Sequence, residues 1–354
     1  MHMADALISP AVGGTMWAAT VGITAYSIKK IQDDDLSDKM IPLMGVMGAF
    51  VFAAQMINFS IPGTGSSGHL GGGLLLSALL GPYAGFLTMA SILLIQALFF
   101  ADGGLLAYGC NVFNLGFYTC FIAYPLIYKR FMRKGYAPAR IFWASLIAAI
   151  IGLQLGAFSV VLETMFSGKT ELPFGTFVAL MQPIHLAIGI VEGLATAAVV
   201  GFVWKARPEI MEGHAQAAGA VSIKKVITGL AVAAIIIGGV FSWFASTHPD
   251  GLEWSMFKTA GTEELEAPEG IYQTMSDIQG KTAFLPDYNF KATENNIEKT
   301  NAAESETEEA SWPAVSSGTS LAGLAGGILT LALAAATGFF INMLKKRKNA
   351  AGIA

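Results

Sequence analysis

The amino-acid sequence is too apolar and too poor in charge for an ordinary soluble protein. Of its 354 residues, 54% are apolar and only 13% are charged, and the formal net charge is -4. The two cysteines, Cys110 and Cys120, share one apolar stretch, which argues against a disulfide framework or a cysteine zinc site.

Nine apolar stretches follow one another along the chain, separated by glycine, proline or charged residues. A helix needs about 20 apolar residues to cross the roughly 30 Å of hydrocarbon in a bilayer, and the third stretch is too short to do so alone. The pattern predicts an all-α polytopic membrane protein. Its helices are expected near residues 10–28, 41–58, 70–80, 83–100, 105–128, 141–162, 176–204, 226–245 and 318–343.

The basic residues predict the orientation of these helices. Sixteen of the 21 Lys and Arg residues fall in alternate gaps between the apolar stretches. If those gaps are cytoplasmic, as the positive-inside rule requires, the N-terminus lies outside and the C-terminus inside the cell. The segment 246–316 carries 14 Asp or Glu residues against four Lys and falls outside in this scheme.

We divide the predicted chain into four parts. Residues 1–205 are expected to form a seven-helix core, and residues 206–225 a cytoplasmic linker that contains His214. Residues 226–343 are expected to form a transmembrane hairpin around the external segment, followed by a basic cytoplasmic tail at 344–354. The sequence has no GxxxxGK[ST] phosphate-binding loop, so energy for any transport has to come from another protein.

The first two residues, Met1 and His2, predict a metal site. No cleavable signal pattern is present, so Met1 is expected to be the mature first residue. Its amine, the amide nitrogen of His2 and the Nδ1 of His2 can close fused chelate rings around one ion. Planar nitrogen sites of this kind suit Ni(II) or Cu(II), with Co(II) possible. The alternative is that Met1 and His2 are a frayed chain terminus that binds no metal.

The fourth ligand is predicted to be His69, in a Gly- and Ser-rich loop on the same external side as Met1. The alternative is that His69 is a lone histidine at the membrane interface. Several polar residues are expected to form hydrogen bonds around the ligands. In the same loop these are Asn58, Ser66 and Ser67, and at the external end of the next long helix they are Asp102, Asn111 and Asn114.

His185 and Glu192 lie seven residues apart, two turns along one predicted helix face. Ionisable groups at membrane depth are costly unless they are paired or functional. We interpret these two residues as an internal polar pair that supports the site, rather than as direct metal ligands.

Two other classes of function remain open at this point. The first is a membrane receptor or structural protein whose acidic external segment binds partners or calcium. The acidic residues involved would be Glu263, Glu264, Glu304, Glu306, Glu308 and Glu309. Because none of them fits the spacing of an EF-hand calcium loop, we predict a solvated acidic loop instead. The second is a membrane metalloenzyme using His185 and Glu192, but no HExxH motif is present.

Taken together, these motifs resemble the CbiM/NikM family, the substrate-capture (S) component of energy-coupling-factor transporters for cobalt and nickel. The resemblance covers residues 1–205 and rests on the Met-His start, the His69 loop, the stretch 101–114 and the run 185–192. It implies that the N-terminus folds back into a seven-helix bundle. It also implies that Ni2+ or Co2+ is bound by the amine of Met1, the amide and imidazole of His2, and His69.

The C-terminal hairpin resembles the small CbiN/NikN-like companion subunit of the same systems, in its PDGLE variety, because the sequence reads PDGLE at 249–253. The resemblance implies a transmembrane coupling subunit (CbiQ/NikQ-like) and cytosolic ATPase subunits (CbiO/NikO-like) as partners, in a prokaryotic cell membrane. It implies no enzymatic activity in this chain, no organic cofactor and no nucleic acid. Many members continue after Met-His with Ile-Pro or Ile-Met and then an acid and Gly, whereas this chain continues with residues Met3, Ala4, Asp5 and Ala6.

Overall fold

The computed structural model describes residues 2–33, 40–208, 223–291 and 312–350, and these residues are mostly helical. Nine helices coincide with the nine predicted apolar stretches. They are α1 (Pro10–Asp33), α2 (Met40–Gln55), α3 (Gly73–Leu80), α4 (Pro82–Phe99), α5 (Tyr108–Met132), α6 (Pro138–Phe166), α7 (Phe174–Ala206), α8 (Ile223–Gly239) and α11 (Ser317–Ala350). The remaining helices, α9 (Gly251–Ala260) and α10 (Ile271–Thr282), lie between the last two stretches.

Five helices of the described ranges are long and apolar enough to cross a membrane, namely α4, α5, α6, α7 and α11. The apolar helix α2 has 16 residues and α3 has only eight. The sequence-based prediction of a helical, multi-pass membrane protein is therefore confirmed at this level. Most of the predicted linker 206–225, including His214, lies outside the described residues.

The apolar core is centred on α2, in which every residue from Leu43 to Gln55 is buried. Helices α8 and α11 pack on α2. Helix α6 packs along α7 and also against α5. Small residues allow the close approach of α11. A Cβ atom at Gly45 would lie 3.0 Å from the carbonyl of Leu331, and one at Gly326 would overlap the Phe52 ring. We call residues 2–208 the core and residues 223–350 the companion segment.

The part of the companion segment between α8 and α11 is folded against the core. The prediction of a solvated acidic loop did not include this packing. Helix α9 packs on α7, and α10 packs on α4. Asp250 starts α9 with a capping box, because its carboxylate accepts from Glu253 N at 2.9 Å while Asp250 N donates to the Glu253 carboxylate at 2.8 Å. From α10, the Tyr272 hydroxyl donates to the carbonyl of Ile8 at 2.9 Å.

The acids proposed as a binding surface are only partly described by the structure. Glu263 and Glu264 are exposed, as a solvated acidic loop requires. Glu304, Glu306, Glu308 and Glu309 lie outside the described residues.

A two-stranded β-hairpin modifies the predicted all-α fold. Strand β1 (Phe59–Ile61) pairs antiparallel with β2 (Ser66–Gly68), so that Ser60 faces Ser67. The turn between them has Gly63 at φ 78° and Gly65 at φ 76°, conformations that favour glycine. The hairpin ends immediately before His69.

Candidate metal centre

The N-terminal tip is folded into the bundle. Met3 is fully buried, and its backbone is clamped at two points by Asn111. Met3 N donates to Asn111 Oδ1 at 2.7 Å, and Asn111 Nδ2 donates to the Met3 carbonyl at 3.1 Å. A third hydrogen bond forms at Asp5, whose carboxylate accepts from Ala107 N at 2.9 Å. These bonds fix the chain directly after His2.

The structure brings His2 and His69 together. Their rings are stacked, with centroids 5.0 Å apart and planes 9° from parallel. The side chain of His2 is only 8% exposed. Met1, the predicted source of the amine ligand, lies outside the described residues. Two of the three residues predicted as metal ligands therefore share one place in the fold, although 67 positions separate them.

His69 is held in the form that a metal requires. Its Nδ1 lies 3.1 Å from the carbonyl of Leu70, and because a carbonyl can only accept, Nδ1 carries the proton and the lone pair is on Nε2. Such a bond from the second ring nitrogen is usual for metal-ligating histidines. Burial lowers the pKa of His69 to about 3, and the charge of nearby His2 acts in the same direction. The imidazole is therefore neutral at ordinary pH.

Asp102 contacts the predicted ligand atom of His2. Its Oδ1 lies 3.1 Å from His2 Nδ1, and since a carboxylate only accepts, this nitrogen carries a proton in the structure. Burial opposes the charge of Asp102, but nearby His2 and the hydrogen bonds from His2 and Tyr288 hold the carboxyl pKa well below its usual range. In the described part of the chain, His2 Nε2 is buried without a hydrogen-bond partner.

Two of the three loop residues predicted to form hydrogen bonds around the ligands join the loop to the companion segment through their backbones. Ser67 donates from its backbone N to the carbonyl of Pro249 at 2.8 Å, and the Asn58 carbonyl accepts from Ser246 N at 2.7 Å. Ser66 shares a 2.8 Å hydrogen bond with the hydroxyl of the turn threonine. The expected hydrogen bonds from these three side chains to the ligands stay a prediction.

His185 and Glu192 are both buried on α7 but are not paired with each other, which corrects the predicted internal pair. His185 Nδ1 lies 2.8 Å from a carbonyl one turn earlier in its own helix. Glu192 accepts from Gly71 N at 2.7 Å and from Gly72 N at 3.2 Å. Because the backbone of a tight glycine turn offers two N–H groups, it satisfies the carboxylate better than a distant imidazole does. Glu192 thereby fixes the chain that follows His69.

Asn114 has a partner that the sequence analysis did not single out. Its Nδ2 donates to Glu163 Oε2 at 2.8 Å and lies 3.7 Å from the sulfur of Met3. Both side chains are buried. An acid inside an otherwise apolar stretch was the available signal for Glu163, since such a group needs a partner at membrane depth.

Two further residues of the companion segment reach the site. Asp250 lines a small cavity together with His69 and His185. The Tyr288 hydroxyl donates to Asp102 Oδ2. The sequence analysis noted Asp250 only as the Asp of the PDGLE motif. The contact between Tyr288 and Asp102 joins positions 186 apart, so no local sequence pattern could have indicated this contact.

The donor set fits a nitrogen-liganded metal. Within the described ranges, no three His, Cys, Asp or Glu side chains are grouped as a metal site. A site on His2 and His69 therefore needs donors of another kind, such as the backbone nitrogens of the predicted chelate. Nitrogen donors suit nickel and cobalt better than magnesium or calcium.

Comparison with known protein families gives two matches that together span most of the chain. The family described as the cobalt uptake substrate-specific transmembrane region, CbiM, matches residues 2–210. The PDGLE domain matches residues 224–343.

Similar proteins carry names that refer to metal transport. A protein of Archaeoglobus fulgidus with the provisional name of fused nickel transport protein NikMN is 37% identical over 237 residues, which are 66% of this chain and 75% of the relative. The fused nickel transport protein NikMN of Rhodobacter capsulatus is 31% identical over 60% of this chain and 64% of its own length. The cobalt transport protein CbiM of Geobacter sulfurreducens is 27% identical over 60% of this chain and 61% of its own.

Two solved structures are similar to the chain. The crystal structure of a truncated transition metal transporter is 29% identical in sequence, covers 58% of this chain and 99% of its own, and has a TM-score of 0.51. A second transition metal transporter is 30% identical and covers 58% of this chain and 93% of its own, also with a TM-score of 0.51.

Proposed function

Because the chain belongs to the CbiM family of cobalt uptake substrate-specific transmembrane proteins, with a PDGLE domain fused behind it, we propose that it is the metal-binding subunit of an energy-coupling-factor importer. It captures Ni2+ or Co2+ at the external face of the cell membrane. The observation that carries this proposal is the stacking of His2 on His69 at the buried N-terminal tip.

The ligands in this proposal are the amine of Met1, the amide nitrogen and Nδ1 of His2, and His69. The tautomer of His69, with its proton directed at Leu70, leaves the Nε2 lone pair for the ion. To bind at His2 Nδ1, the ion has to displace the proton that now faces Asp102. The Asn111 clamp on Met3 supports the chelate by holding the tip in place.

The fold proposed for this function is a seven-helix capture core at 1–205 and a two-helix transmembrane hairpin at 226–343, with the N-terminus outside and the C-terminus in the cytoplasm. The distribution of basic residues supports this orientation. Since the sequence lacks a phosphate-binding loop, we assign ATP hydrolysis to separate CbiO/NikO-like subunits that act through a CbiQ/NikQ-like coupling subunit.

Nickel is the metal that we favour within this proposal. The relatives whose names describe them as fused are also named for nickel transport. A planar set of nitrogen ligands also suits Ni(II) by geometry.

The proposal is tested by adding one alanine before Met1. The insertion displaces the terminal amine from the chelate and leaves every side chain unchanged, so nickel affinity of the purified chain, measured by titration calorimetry, should be lost. The control is the same chain with one alanine added after Ala354, which should bind as the unmodified chain does. Full affinity in the N-terminal insertion would contradict the proposed ligand set.

A further inference from the structure

We infer that Tyr288 of the companion segment is a positioning residue of the metal site, acting through Asp102 on His2. This inference rests on the proposed function of metal capture. The inference names Tyr288 as the residue through which the fused PDGLE domain acts on the proposed metal ligands.

A single carboxylate joins Tyr288 to His2. The Tyr288 hydroxyl donates to Oδ2 of Asp102, and Oδ1 of the same carboxylate lies 3.1 Å from His2 Nδ1. Asp102 is 22% exposed and His2 is 8% exposed, so solvent has little access to this contact. The two oxygens of Asp102 are thus divided between the companion segment and the predicted ligand.

The ring of Tyr288 is fixed against the core. It stacks on Phe100 with centroids 5.0 Å apart and planes 17° from parallel, and Phe52 meets it edge-on at 6.2 Å. The preceding residue ties the backbone as well, because Asp287 N donates to the Phe100 carbonyl at 2.9 Å. The hydroxyl is therefore directed at Asp102 by an aromatic and backbone anchor that does not depend on the hydroxyl itself.

The backbone is strained on both sides of the contact. Asp287 has φ 50°, Tyr288 has φ 59° and Ala101, beside Asp102, has φ 55°. Left-handed conformations are disfavoured for residues with a Cβ, most of all for a bulky one, and persist where the surroundings determine them. All three positive-φ residues other than glycine in the described ranges lie at this contact.

The arrangement defines what Tyr288 does when a metal binds. When the ion binds, the ring of His2 carries its proton on Nε2 instead of Nδ1, the lone pair of Nδ1 goes to the ion, and the hydrogen bond from Nδ1 to Asp102 breaks. Asp102 then remains beside the ion as an opposite charge. The hydrogen bond from Tyr288 keeps the carboxylate oriented and engages Oδ2. Without it, both oxygens can turn to His2 and compete with the ion.

The test is the variant Tyr288→Phe in the full chain, which removes the hydroxyl and keeps the stacked ring. Its nickel affinity should fall about 10-fold, within the roughly 10–100-fold typical of groups that orient metal ligands. The matched control is Tyr272→Phe, which removes another hydroxyl by which the same segment donates to the core, at the Ile8 carbonyl. Its affinity should equal that of the unmodified chain.

A second measurement separates positioning through Asp102 from loosening of the fold. In an Asp102→Ala background, adding Tyr288→Phe should cause no further change in nickel affinity, whereas a merely structural loss would persist there. Affinity unchanged in Tyr288→Phe, or lowered equally in both backgrounds, would overturn the inference while leaving metal capture intact. If the unmodified chain binds no nickel, the proposed function and the inference fail together.

Discussion

At the scale of single residues, the proposed ligand His69 already has the protonation state that metal binding requires. Its Nδ1 proton is directed at the Leu70 carbonyl, and burial lowers its pKa to about 3. An incoming ion therefore does not have to remove a proton from His69. His2 differs, because the nitrogen proposed to bind the metal now donates to Asp102. The two imidazoles of one site thus differ in whether the proposed ligand nitrogen carries a proton in the structure.

Replacing His69 should identify it as a ligand. In His69→Ala the nickel affinity should fall by more than the roughly 10–100-fold that is typical when a group bonded to a ligand is lost. The absorption spectrum of the bound nickel should also change, because a nitrogen donor is removed. His248→Ala is the control, since this side chain is exposed. Equal affinity and spectra in the two variants would show that His69 is not a ligand.

The affinity for nickel should weaken as the pH falls from about 7.5 to about 5.5, because nitrogens have to lose protons to bind a metal. His69 should not contribute to this slope, since its pKa of about 3 keeps it neutral throughout that range. The sensitivity should come from the terminal amine and the backbone amide, which have to lose protons to bind the ion. Competition titrations at several pH values measure it, and a pH-independent affinity would contradict nitrogen ligation.

The sequence predicted the meeting of His2 and His69 because each residue carries a local signal. His2 follows the first residue, and His69 lies in a glycine-rich loop whose side of the membrane the charge pattern predicts. The contact of Tyr288 with Asp102 carries no such signal, since it joins positions 186 apart. The partners of Glu192 were also missed, because backbone N–H groups leave no mark in a sequence.

At the scale of elements, small residues decide how the helices meet. Helix α11 lies on α2, where Gly326 faces the Phe52 ring. The lengths of the apolar stretches predicted the helices because a membrane span has a fixed length. Helices α9 and α10 were missed since their polar composition resembles a loop. The capping box of Asp250 and Glu253 was a signal present in the sequence for α9.

Two neighbouring glycines of α11 should respond differently to alanine. In Gly326→Ala the new Cβ would overlap the Phe52 ring, so overpacking should destabilise the fold by about 1–3 kcal/mol. In Gly327→Ala the new Cβ would lie 3.9 Å from the Ala49 Cβ, an ordinary contact, so stability should be unchanged or slightly higher. Thermal unfolding in detergent compares them. Equal midpoints would show that α11 does not pack on α2 as described.

At the scale of the whole molecule, the companion segment surrounds the proposed site instead of standing beside the core. It contacts the loop before His69 at Ser67, the backbone just before α1 through the bond from Tyr272 to Ile8, and the Asp102 carboxylate through Tyr288. The sequence analysis divided the chain into blocks by composition. Composition reports how each block meets solvent or lipid, and it carries no information on which blocks touch each other.

Continuity of the chain has a consequence for the strength of these contacts. A separate companion protein has to find the core by diffusion and hold it by affinity alone. A tethered one is present at an effective concentration that reaches the millimolar range for short flexible linkers. The packing of α8 and α11 on α2 and the hydrogen bonds at Ser67, Tyr272 and Tyr288 therefore form within one chain, without the entropic cost of bringing two proteins together.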